Sequence, residues 1–283
     1  MKVRTDVVTR VALAAAGVAG LWVARSQQPP RQPLTMEKVS ANLWMIVGNG
    51  GNVAVMPTSQ GVIVVDDKFA ADAPDIVAKV KTISDKPIRY ILNTHQHGDH
   101  TGGNEALLAG GAEIIISKQA RANMVKGEQP GIPRLAFSDE QQVVLAGQEV
   151  IAKFLGRGHT NGDAVILFPG ERVLHTGDLF VTTGAPFCDT ANGGSIKEWD
   201  ATIQKALQLD FDKVIPGHGS VMKKADLQTW ATTLATFRTK VKAACTGGAA
   251  DAGKRMDWSG LPGMSGGGTF DRGLPGMCKE LTQ

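Results

Sequence analysis

Cysteine is scarce in this chain of 283 residues: only Cys188, Cys245 and Cys278 occur. None has the C-x-x-C spacing of a structural zinc site, so a thiolate-held zinc module is excluded. In an oxidising compartment one disulfide is allowed and one thiol is left over. Long hydrophobic runs are lacking as well. The apolar run from Val11 to Ala24 falls short of the roughly 20 residues that a membrane-spanning helix needs. A clustered charge is the third absence. The net charge is +3, but Lys2, Arg4, Arg10, Arg25 and Arg31 against Asp6 put +4 in the first 31 residues and leave about −1 for the rest. So neutral a body argues against nucleic acid, because phosphate binding needs a clustered basic face.

What is present at the N-terminus accounts for that charge. Lys2, Arg4 and Arg10 precede the apolar run, which ends near small residues before the polar "RSQQPPRQP". That is the layout of a secretory signal peptide. Trp22 and Val23 make a mediocre cleavage site, so residues 1–34 are read as a signal peptide or an uncleaved anchor plus linker. The expected location is periplasmic or secreted, with membrane contact only through that anchor. No cysteine follows the run, so lipoprotein attachment is unsupported. Apolar residues at 42% and charged residues at 20% are ordinary for a soluble globular protein, and the length can bury one large core or two modest ones.

The body opens with β-branched runs, "NLWMIVG", "NVAVMPT" and "GVIVVDD", separated by Gly, Asn and Ser turns, which read as antiparallel strands. "APDIVAKVKTIS" carries Ile76, Val77, Val80 and Ile83 at helical spacing. "IRYILNT" is a short apolar strand, followed by a short helix in "GNEALLAGG", a strand in "EIIIS" and a helix in "KQARANMVKG". From Gln142 strands return in "QVVLAG", "EVIAKFLG", "AVILFP" and "RVLHTG". Helices are expected in "SIKEWDATIQKALQL" and "KADLQTWATTLATFRTKVKAA", with the strand of "KVIPGH" between them. Two blocks of strands then helices predict two sheets packed face to face with helices outside. From Thr246 the chain turns Gly-rich, and "GLPGM" occurs at Gly260–Met264 and again at Gly273–Met277. Two copies cannot build a solenoid. The tail is read as an irregular appendage over the core, pinned by Cys245 and Cys278 if these pair.

"THQHGDH", Thr94 to His100, runs straight out of a strand and packs three histidines and an aspartate into seven positions. His95 and His97, two apart, can converge on one cation in an extended turn. Asp99 and His100 point differently and suit a second cation beside the first, with Gly98, Gly102 and Gly103 permitting the sharp turns. Of six histidines, three remain: His159 in "GRGHTNGD", His175 in "VLHTGDLF" and His218 in "VIPGHGS". Each lies at a strand end or in a Gly-flanked turn, as does Asp178. Imidazole and carboxylate without thiolate suit Zn²⁺, and also Fe or Mn. His175, on its strand, is read as a packing residue. One of Asp66 and Asp67, at the end of a buried-looking strand, is a candidate to orient a ligand histidine from behind.

"THQHGDHTGGN", "GRGHTNGD", "HTGDLF" and "VIPGHGS", in this order and at these spacings, resemble the metallo-β-lactamase superfamily, in an exported bacterial form. The motifs run from 93 to 219 and the resemblance extends over roughly 36 to 240. It implies an α/β fold, a four-layer αββα sandwich with the site at one edge between the sheets. A catalytic domain would occupy 35–245, with 246–283 a Gly-rich extension outside the resemblance. It further implies that His95, His97 and His159 hold one metal and that Asp99, His100 and His218 hold a second, with Asp178 bridging both. Asp99 would also orient the nucleophile. The implied function is a dinuclear zinc hydrolase, two Zn²⁺ per chain, using a metal-bridging hydroxide on the ester, thioester, lactone or lactam carbonyl of a small molecule. No separate Ser or Cys nucleophile is then required.

Departures from the family narrow the substrate class. The common antibiotic-degrading zinc enzymes put Cys or Ser where this chain has Asp178, and aspartate there resembles the glyoxalase II-like and general hydrolase branches. The basic helical domain that binds glutathione in that thioesterase is missing. "PFCDTANGGS", Pro186 to Ser195, is expected to wall the pocket, with Cys188 packing rather than ligating. A persulfide dioxygenase-like enzyme with one iron would leave Asp99, His100 and His218 idle, and a non-catalytic periplasmic metal-binding protein would need an impaired site. Every ligand position is filled, which argues against both.

Overall fold

Continuous apolar runs such as "GVIVV" and "AVILF" build two sheets whose central strands are buried on both faces. The computed structural model describes residues 33–283, so the segment read as a signal peptide or anchor lies outside the described residues. The first sheet contains β1 (Thr35–Lys38), β2 (Trp44–Val47), β3 (Val53–Thr58), β4 (Gly61–Val65), β5 (Ile88–Leu92), β6 (Glu113–Ser117) and β7 (Leu135–Phe137), in that spatial order. β1 to β4 pair antiparallel and β4 to β7 parallel. Helices α1 (Ala73–Lys81), α2 (Gly98–Thr101), α3 (Asn104–Ala109) and α4 (Lys118–Lys126) belong to this half.

The second sheet runs β13 (Met222–Lys223), β12 (Lys213–Ile215), β11 (Val173–His175), β10 (Ala164–Phe168), β9 (Gln148–Phe154), β8 (Glu140–Leu145). All its pairs are antiparallel except β11 with β12. Its helices are α5 (Trp199–Leu207), α6 (Lys224–Cys245), α7 (Ala252–Arg255) and α8 (Gly268–Thr282).

The layers follow from which side chains share a core. Ile63 and Val65 of β4 meet Ala164, Ile166 and Phe168 of β10 between the sheets. The intervening Val62 and Val64 face α1 through Ile76 and Val80. Val165 and Leu167 of β10 point the other way, toward Trp199 of α5 and Leu234 of α6. Each Val, Leu, Ile or Phe side chain buried this way contributes roughly 1.5–3 kcal/mol of transfer free energy. The result is the αββα sandwich expected from the sequence. Among the described residues, no helix is long and apolar enough to cross a membrane.

The tail differs from the irregular appendage expected. It contains α7 and α8, and Phe270, Leu274, Met277, Cys278 and Leu281 enter the same core as Trp199 and Phe237. Those positions fall on one helical face, a period that glycines and Pro275 conceal in the sequence. Cys245 and Cys278 form a disulfide with Cα atoms 5.2 Å apart, joining the end of α6 to α8, while Cys188 stays a buried free thiol. The chain-entropy model gives this cross-link about 3–4 kcal/mol. Urea unfolding of the Cys245→Ser/Cys278→Ser double variant should show that loss. A difference below about 1 kcal/mol would mean that packing alone secures the tail.

Candidate metal centre

At one edge of the sandwich, four chain segments leave the sheets and converge. His95 to His100 follow β5, His159 lies between β9 and β10, Asp178 lies just past β11, and His218 lies past β12. Three groups of possible ligands result: His95, His97 and His159; His95, His100 and Asp178; and Asp99, His100 and His218. All seven residues singled out in the sequence are therefore brought together.

In the first group, His97 Nδ1 lies 3.1 Å from His95 Nε2 and 2.8 Å from His159 Nε2. The outer nitrogens of these rings meet partners that dictate the tautomer. His159 Nδ1 donates to the Phe187 carbonyl at 2.6 Å, and His97 Nε2 donates to Asp189 Oδ2 at 2.8 Å. Thr94 Oγ1 already donates to Asp66 Oδ2, so at 3.0 Å it accepts from His95 Nδ1. With every outer nitrogen a donor, each inner nitrogen presents a lone pair. Burial holds His95 well below its ordinary pKa and His159 at about 4, so both are neutral near pH 7. Imidazole lone pairs facing one another repel, and they match the donor set of a transition-metal cation. The residues fit the metal.

The second group carries the carboxylates. His218 Nε2 is 3.2 Å from Asp99 Oδ2 and 3.3 Å from Asp178 Oδ1. His100 Nε2 is 3.2 Å from Asp178 Oδ1 and 3.6 Å from Asp99 Oδ2. Asp178 Oδ2 reaches the first group, 3.6 Å from His159 Nε2, so this carboxylate spans both. His100 Nε2 and Asp178 Oδ1 are buried and make no hydrogen bond, as coordinating atoms would. Burial alone would push Asp99 up, but His100 and His218 bring it down to about 2. Burial would likewise lower His218, yet Asp178 and Asp99 raise it to about 9. The pocket thus keeps positive charge between its carboxylates.

Close packing around these groups demands glycine at two places. A Cβ on Gly217 would overlap Asp178 Oδ1, and one on Gly51 would overlap the His100 ring. Asn52 ties the two loops together, its side chain donating to Pro216 O at 2.9 Å and Gly219 O at 2.8 Å.

Of the supporting residues, Asp66 takes the role expected for one of the aspartate pair. It accepts from His100 Nδ1 at 2.7 Å, whereas Asp67 accepts from the Gly103 amide at 2.9 Å. His175 is fully buried between Asn52 O and the Gly177 amide, outside the ligand groups, as read from its strand position. Cys188 packs in the core. Sequence reasoning missed Asp189, Thr94 and Lys68. Lys68 is buried and donates to Gly51 O at 2.6 Å, pinning the turn that covers His100; burial lowers it to about 8. The Asp189 side chain also accepts from the Asn192 amide at 3.2 Å, a turn signal legible in "DTAN". Nothing local announces its bond to His97.

The pattern of the Metallo-beta-lactamase superfamily matches residues 46–218, and the chain belongs to this superfamily. Over 247 residues it is 24% identical to the metallo-beta-lactamase type 2 of Elizabethkingia meningoseptica, covering 81% of this chain and 95% of that one. It is 26% identical over 213 residues to the alpha subunit of 2,4-dinitroanisole O-demethylase from Nocardioides sp. (strain JS1661), covering 71% of this chain. The match spans 64% of that subunit's length. Among solved structures, the metallo-beta-lactamase from Pontibacter korlensis superposes with a TM-score of 0.65 at 22% identity, over 71% of this chain and 99% of that one. This last likeness bears on the fold.

Proposed function

We propose that the protein is a dinuclear zinc hydrolase that opens a carbonyl in a small ester, thioester, lactone or lactam. The observation that carries this reading is the pair of ligand groups joined by one carboxylate, Asp178. His95, His97 and His159 would hold the first ion, and Asp99, His100 and His218 the second, with Asp178 between them. Bound there, the ions would polarise the carbonyl and lower the pKa of a shared water toward 7.

The chain's own groups do the rest. The Asp99 side chain is 25% exposed, so its Oδ2 can orient the attacking water, take up its proton and return it to the leaving group. His100 and His218 would give up the protons on their inner nitrogens to hold a second ion, since a ligand nitrogen must be free of its proton. Phe69, 44% exposed and set against the Gly50 turn beside Asp99, offers an apolar wall to the acyl part of a substrate. Phe187 flanks His97, ring centroids 6.0 Å apart.

Elemental analysis after reconstitution should find about two zinc ions per chain. The loaded protein should then turn over at least one member of a panel of lactams, lactones, esters and thioesters. One tightly bound iron with no second ion would favour the persulfide dioxygenase-like alternative. Cleavage confined to an aryl methyl ether, the bond suggested by the demethylase relative's name, would overturn the carbonyl reading.

A further inference from the structure

The C-terminal extension lies wholly outside the residues matched by the superfamily, yet it packs against a loop that reaches the metal centre. That loop is Pro186 to Ser195. It supplies Asp189 and the Phe187 carbonyl, the two acceptors that fix the rings of His97 and His159. Its backbone also grips the His159 segment directly. The Asp189 amide donates to His159 O at 2.8 Å and the Ser195 amide to Gly158 O at 2.9 Å.

Helix α8 holds this loop from behind in three ways. The Glu280 carboxylate accepts from the Ile196 amide at 2.9 Å and from the Ser195 hydroxyl. Gly273 and Gly276 bring the helix against the loop. A Cβ on Gly273 would stand 3.0 Å from the Phe187 ring, and one on Gly276 would overlap the Thr190 hydroxyl. The Arg272 guanidinium sits 5.1 Å over the Phe187 ring, which also lies 6.0 Å from the His97 ring and 5.6 Å from that of His159. The Cys245–Cys278 disulfide, two residues before Glu280, anchors α8 to α6.

We propose that α8, acting through Glu280, is a positioning element for the three-histidine site, and that the disulfide holds it in register. Glu280 touches no ligand. It sets the loop whose Asp189 and Phe187 carbonyl hold His97 and His159 in their metal-binding tautomers and orientations. The inference rests on the reading that these histidines bind metal.

Zn²⁺ affinity measured by chelator competition tests it. A His218→Ala background isolates the three-histidine site, and a His97→Ala background isolates the other. Partners one shell out from a ligand typically change affinity 10–100-fold, so Glu280→Ala, one step further away, should weaken the three-histidine site about 10-fold. The other site should change by less than about twofold. Glu280→Gln keeps an acceptor for the Ile196 amide and should restore most of the affinity. The Cys245→Ser/Cys278→Ser variant should weaken the same site alone, and unchanged affinity there would overturn the disulfide's part. A fall in unfolding temperature with both affinities unchanged in Glu280→Ala would reduce the contact to ordinary packing and overturn the proposal. Zinc uptake by neither site in the parent backgrounds would instead overturn the metal reading and this inference with it.

Discussion

Asp99→Asn should lower kcat by about 10²-fold or more while two ions remain bound, the scale of a lost general acid–base group. Asparagine keeps the shape of Asp99 and one oxygen to face the centre. It loses the negative charge and the ability to take a proton at Oδ2. That oxygen sits 3.2 Å from His218 Nε2, and the imidazoles of His100 and His218 keep its pKa at about 2. In the metal-free protein it is therefore anionic throughout the physiological range. KM should move less than kcat, because the substitution leaves Phe69 and Phe187, the walls proposed for the substrate, in place. Steady-state kinetics combined with metal analysis separates the two effects. Near-normal turnover with both ions present would refute the role given to Asp99.

The largest loss of stability should follow Asp66→Ala. The Asp66 carboxylate is fully buried and accepts three hydrogen bonds: from the Thr94 amide at 2.7 Å, the Thr94 hydroxyl at 2.8 Å and His100 Nδ1 at 2.7 Å. Alanine leaves all three donors without a partner in the interior. It also strips a counter-charge from His100, whose pKa is raised against the pull of burial by Asp99, Asp178 and Asp66. Removing one member of a buried ionic pair costs about 3–5 kcal/mol. For a domain of this size that corresponds to a fall in Tm of roughly 10 °C. Asp66 also has φ of +61°, a left-handed conformation that aspartate and asparagine tolerate better than alanine. Asp66→Asn therefore separates lost charge from backbone strain. Thermal and urea unfolding of the metal-free proteins provide the measurement. An Asp66→Ala protein within about 1 kcal/mol of the parent would show that the network does not hold the loop after β5.

The residues that converge on the candidate centre were legible because the chain displays them at strand ends. His95, His97, Asp99 and His100 lie within one turn after β5, so a local pattern sufficed to find them. His159, Asp178 and His218 stood in Gly-flanked turns after apolar runs, again a local signal. The two-sheet core was legible for a related reason: β4 and β10 are continuous apolar runs, as strands buried on both faces are. The edge strands β1, β7 and β13 were not anticipated, since two to four residues are too few for a period to register.

Other features depended on neighbours that the sequence does not place side by side. Asp66 and Asp67 are chemically alike, and only the path of the chain after β4 aims the first at His100 and the second at the Gly103 amide. Asp189 reaches His97 across 92 residues, and Glu280 reaches Ser195 across 85. The two copies of "GLPGM" make the point within one segment. In the first, Gly260 and Gly263 adopt φ of +66° and +74° in turns. The second lies inside α8, with Gly273 and Gly276 against the loop behind His97 and His159. Identical residues took two conformations because glycine and proline disfavour a helix interior, so nothing local called for one. What settled the second copy was burial of Leu274, Met277 and Cys278 in a core assembled from distant parts of the chain.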